Sequence, residues 1–169
     1  MKWFWWLGRS VTILPRMKDI ILNQWKWKEW ECSGFAILWA LARMKDVDYE
    51  KIAHEIIEET WNSASLMNAK AWFIKKWYIK NMTRVAYSPI ILIKKPIITS
   101  FRGVDWVNTR IAPYKIQFLP WEPKNAHYMA IVAPWKLANS WWRWFWDNWY
   151  CYFQKEDLKR CTQFFVINI

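Results

Sequence analysis

The first sustained apolar pattern begins at Cys32, where Ser33-Gly34-Phe35-Ala36-Ile37-Leu38-Trp39-Ala40-Leu41-Ala42-Arg43-Met44 runs almost without polar interruption. Its Ala and Leu content favours a helix, and apolar residues on every side mark that helix as largely buried. Cys32 then stands at the helix N-terminus. A second helix is predicted over about Tyr49 to Glu59, because Asp48 supplies an N-cap and Ile52, Ile56 and Ile57 recur on one face. A third is predicted over Ser65 to Lys76, and Trp77 occupies the place where a glycine stop would fit.

Beyond Asn81 the pattern shortens. Pro89 and Pro96 punctuate the chain, and strands are predicted at Ile97 to Arg102, His127 to Val132, Leu137 to Ser140, Tyr150 to Gln154 and Phe164 to Ile167. Ala133-Pro134-Trp135-Lys136 reads as the hairpin turn between the second and third of these. A two-residue turn at Pro134-Trp135 would pair 132 with 137 and set His127 and Asn139 on opposite faces. A three-residue loop at Ala133-Pro134-Trp135 pairs 132 with 136 and 129 with 139, which puts both on one face. That loop characteristically ends in a left-handed residue, usually glycine. Helices followed by strands predict an α+β chain: one domain over 1–169, with a helical lobe at about 20–82 packed against a β lobe at about 83–169.

A length of 169 residues suits one domain with a real core. The 54% hydrophobic content contains no apolar run approaching the roughly 20 residues of a spanning helix. Met1 to Ser10 lacks the small-residue cleavage site of a signal peptide. A soluble chain with no membrane partner, cytoplasmic by default, is therefore expected. The net charge of +11 is read as a solvated basic surface that requires no nucleic acid. Two histidines and no Cys-x-x-Cys pair argue against a zinc site, and no cofactor is expected. Three cysteines cannot all pair within one chain, so at least one thiol is free. Cys151 and Cys161 are expected to be buried or idle thiols, with a bond between them as the alternative.

Eighteen tryptophans against three glycines changes the picture, since average usage would give roughly 12 glycines at this length. Many of these tryptophans stand in polar stretches with no burial period, as in Trp142-Arg143-Trp144-Phe145-Trp146-Asp147-Asn148-Trp149. Trp135 falls where a turn asks for φ > 0, which glycine tolerates and a bulky residue does not. The expectation is that the source reads UGA as glycine and that a table with UGA as tryptophan has hidden those glycines. A Trp-rich, basic membrane binder is the competing reading.

A cysteine becomes a useful nucleophile when its thiolate is stabilised, and a helix N-terminus with a nearby imidazolium lowers a thiol pKa. Cys32 has the helix. Of the two histidines, His54 lies within the second predicted helix as a surface residue, while His127 begins a strand and is the better base. Cysteine and histidine distant in sequence but joined in space need a third group to orient the ring. Asn139, on the far strand of the hairpin, has an amide oxygen that could accept the proton of one ring nitrogen.

Cys32-Ser33-Gly34-Phe35-Ala36, preceded by Asn23-Gln24, resembles the nucleophile segment of papain-like cysteine peptidases, particularly their compact bacterial relatives. Asn125-Ala126-His127-Tyr128-Met129-Ala130-Ile131-Val132 is similar to the histidine strand, and Lys95-Pro96-Ile97-Ile98 to the first long strand of the β lobe. The segment from Asn139-Ser140-Trp141 to Tyr150 resembles the family's Asn-Ser-Trp-Gly pattern, with Trp142, Trp144, Trp146 and Trp149 each on a family glycine. The resemblance spans about Gln24 to Phe153. It implies a papain-like fold with an antiparallel β lobe and acyl transfer through a Cys32, His127 and Asn139 triad. It further implies that Gln24 and the Cys32 backbone N–H form the oxyanion hole and that Trp141 shields the Asn139 to His127 bond. Gln24 lies two residues further from Cys32 than the family spacing, so either that insertion bulges outward or another group donates. The expected function is a monomeric cysteine peptidase acting on a peptide or protein. No long inhibitory segment precedes Cys32, so a typical zymogen is not expected. The alternative is a catalytically silent papain-like domain that binds peptides.

Overall fold

Small and aliphatic side chains from Cys32 onward give helix α1 (Cys32–Met44) in the computed structural model of the chain, which describes residues 32–59, 65–105, 108, 115–121, 126–138 and 150–169. Every residue of α1 from Cys32 to Ala42 is buried. With no polar face to offer water, α1 lies at the centre, and it packs chiefly against a strand introduced below as β3.

Helix α2 (Tyr49–Glu58) starts where expected, because Asp48 Oδ1 accepts the Lys51 N–H at 3.1 Å. Ile52 and Ile56 are buried, while the side chain of Ile57 lies outside the described residues. Helix α3 (Leu66–Lys75) turns Leu66, Ala69, Trp72 and Phe73 inward. The end of α2 is tied to α3 by the Trp72 indole N–H donating to Glu59. Lys76 Nζ adds contacts of 2.5 Å to Glu59 and 3.6 Å to Glu55.

The strands are β1 (Asn81–Val85), β2 (Ile97–Arg102), β3 (Ala126–Ala133), β4 (Lys136–Ala138), β5 (Tyr150–Tyr152) and β6 (Cys161–Asn168). They form one sheet in the order β1-β6-β2-β3-β4-β5, with every pairing antiparallel. The chain is therefore α+β. A short helix α4 (Pro89–Leu92) and a 3-10 helix (Lys155–Arg160) lie in the connections. Among the described residues no helix is long and apolar enough to cross a membrane.

Both faces of the sheet are covered. Ile98, Ala130, Val132, Ala138, Phe165 and Ile167 join the core made by α1, α2 and α3. Ile97, Phe101, Met129, Ile131, Leu137 and Val166 build a second core on the other side, with Ile116 and Phe153. Successive side chains alternate across a strand, so a strand buried on both faces reads as a continuous apolar run, as Met129-Ala130-Ile131-Val132 does.

The β3–β4 hairpin departs from expectation at its tip and agrees further in. Ala133 pairs with Lys136, so Pro134 and Trp135 form a two-residue turn rather than part of a three-residue loop. A bulge between Ile131 and Ala133 absorbs the extra residue, and beyond it Ile131 pairs with Leu137 and Ala130 with Ala138. That is the register which the three-residue loop was expected to set. Residues 139 and 140 lie outside the described residues, so strand Leu137 to Ser140 is described only to Ala138.

Candidate active site

Cys32 is the first residue of α1 and is 4% exposed. His127 is the second residue of β3, also 4% exposed, and pairs with Phe101 of β2. α1 packs on β3, and the mutual influence of Cys32 and Tyr128 places the first residue of α1 near the start of β3. The backbone N–H of Tyr128 acts on the Cys32 thiol, which sets the sulfur one residue along the strand from His127. Alternation sets Tyr128 on the α1 side of β3 and His127 on the other.

The electrostatics of Cys32 differ from the expectation of a lowered pKa. Burial pushes the thiol above its ordinary value, and this outweighs the downward pull of the backbone N–H groups of Tyr128, Ser33 and Cys32 itself. Desolvation acts on the whole charge of a thiolate, whereas each N–H supplies one partial charge. Ser33 beside it is fully buried, and its hydroxyl finds no partner among the described residues.

Asn139 and Gln24 lie outside the described residues, as do Trp141, Trp142, Trp144, Trp146 and Trp149. The structure thus brings Cys32 to the His127 strand and leaves the orienting amide and the oxyanion donor without a described position. His54 is exposed on α2. Cys151 in β5 and Cys161 at the start of β6 are free thiols, as is Cys32, and burial holds Cys151 and Cys161 at about 12. The action of the Tyr128 N–H on the thiol was missed from sequence. Its only signal there was adjacency to His127, because backbone donors carry no residue signature.

Comparison with family models, curated proteins and solved structures returns no match for this chain.

Proposed function

We propose that the chain is a papain-like cysteine peptidase, with its helices and its antiparallel sheet as the two lobes of that fold. The reading rests on the Cys32 sulfur at the head of a buried helix, near the start of the strand that carries His127. The three segments that resemble the family add to it, each around Cys32, His127 or Asn139.

Because burial keeps Cys32 protonated, the proton must leave as sulfur attacks. Because alternation turns the His127 side chain to the face of β3 away from α1, the scheme requires its ring to reach round the end of the strand to the sulfur. The Sγ–H proton then passes to His127, a sulfur–carbon bond forms at the substrate carbonyl, and the carbonyl electron pair moves to oxygen. When the tetrahedral adduct collapses, the carbon–nitrogen bond breaks and His127 returns the proton to the leaving amine. Water, deprotonated by His127, then displaces sulfur and releases the acid, leaving the thiol as it began. Asn139 holds the ring in this scheme, and Gln24 with the Cys32 N–H receives the oxyanion. Loss of one such donor typically costs about 2.7–4 kcal/mol of transition-state stabilisation.

The test is covalent labelling with a peptidyl epoxide at neutral pH, read by mass spectrometry, alongside hydrolysis of a mixed peptide library. Stoichiometric labelling at Cys32, abolished together with hydrolysis by Cys32→Ala and by His127→Ala, is the expected result. Burial of the thiol favours a second reading, a silent peptide-binding domain. Peptide binding that persists with no hydrolysis, and that is the same in Cys32→Ala, would select it.

A further inference from the structure

Among the described residues three have positive φ: Gly103 at 68°, Trp77 at 62° and Trp135 at 62°. At Gly103 the conformation is unremarked, because without a Cβ that region is freely open. At a tryptophan the Cβ crowds the following carbonyl, and a bulky residue there is an outlier.

Position 77 closes α3 in a specific way. The Tyr78 N–H bonds to the Phe73 carbonyl and the Trp77 N–H to the Ile74 carbonyl, both at 3.0 Å. That hydrogen-bond pair is the Schellman end, and its left-handed residue is ordinarily glycine. The accompanying apolar contact is also present, with the Phe73 and Tyr78 rings 6.1 Å apart. Nothing in this motif uses a side chain at 77, and the Trp77 indole is 91% exposed. Position 135 is the second residue of the Pro134-Trp135 turn, where a preceding proline and a positive φ together mark a glycine position. Trp72 behaves in the opposite way. It is buried, donates its N–H to Glu59, packs edge-on to Phe73 at 4.9 Å and carries Lys76 over its ring at 5.4 Å.

We infer that positions 77 and 135 hold glycine in the protein made by its source, encoded by UGA, and that position 72 holds tryptophan, encoded by UGG. The backbone thereby sorts tryptophans that composition alone treats as one class. The inference stands apart from the peptidase reading, since the identity of these residues is indifferent to whether Cys32 reacts.

Tandem mass spectrometry of peptides from the protein purified from its source reads all three positions directly. Glycine at 77 and 135 with tryptophan at 72 is expected. Tryptophan at 77 or 135, or glycine at 72, overturns the assignment. A second measurement uses the recombinant chain as written. Trp77→Gly is expected to raise its Tm by about a few degrees and Trp72→Gly to lower it. Trp135→Gly should gain less, because its ring lies 5.4 Å from Phe153 and 6.4 Å from Tyr87. A fall in Tm for Trp77→Gly counts against the backbone reasoning.

Discussion

Cys151 sits in β5 opposite Leu137, and burial pushes its thiol up to about 12. The unfolded chain releases the same proton near the ordinary value of 9.0. Between those two values the folded state keeps a proton that the unfolded state has lost, so a rise in pH favours unfolding. Below the lower value both states are protonated and the thiol contributes no pH dependence. Each such thiol steepens the alkaline loss of stability by about 1.4 kcal/mol per pH unit across the window. Cys161, also held at about 12, acts in parallel. Urea unfolding of wild type and Cys151→Ala at several pH values from 9 to 12 should therefore show a shallower decline in the variant. An identical slope would mean that Cys151 ionises freely in the folded protein. The same burial acts on Cys32, which is why a helix N-terminus alone did not make it a thiolate. Sequence placed the sulfur and the imidazole on the right kinds of element, since Cys32 heads a helix and His127 stands second in a strand that begins one residue earlier than expected. It could not weigh desolvation, because burial depth at a helix tip depends on chain segments remote in sequence.

At the level of elements, the cap of α2 carries a measurable share of that helix's stability. The Asp48 carboxylate satisfies the Lys51 N–H, which would otherwise have no partner within the helix. Asp48→Ala should cost about 1 kcal/mol, whereas Asp48→Ser, which keeps an acceptor, should cost much less. Chemical denaturation of the two variants separates loss of the cap from loss of charge, and equal losses would assign the effect to charge. Caps and unbroken apolar runs were legible: α1, α2, α3 and β2 fall within a residue or so of where the sequence puts them. What was missed had little pattern to offer. β1 is an edge strand that buries Met82 alone, so its five residues show no alternation. α4 is a four-residue turn of helix opened by Pro89 behind Ser88, and there proline was read as punctuation when it stands at a first helical position. In the hairpin, the register was recoverable but the bulge at its tip was not, since one extra residue can be absorbed in the loop or in the strand.

Across the whole molecule, the proposed chemistry depends on how closely α1 seats against β3. Ala130 lies on the α1 side of β3 with no exposed surface, and only a small side chain fits there. Ala130→Leu inserts bulk between the two elements at a cost of about 1–3 kcal/mol. It should also lift Cys32 away from the start of β3. Ile131→Val, on the opposite face of the same strand, removes bulk from the second core at a cost of about 0.5–1.5 kcal/mol. The two substitutions are neighbours in sequence and differ chiefly in which layer they disturb. If catalysis rests on the α1–β3 seat, peptide hydrolysis falls far more in Ala130→Leu than its stability loss explains, while Ile131→Val stays near wild type. Alkylation of Cys32 by iodoacetamide gives an independent reading, because a sulfur lifted from its burial ionises more readily and should react faster at pH 8–9. Equal behaviour of the two variants in both assays would detach the reactivity of Cys32 from its contact with β3, and with it the spatial basis for pairing Cys32 with His127.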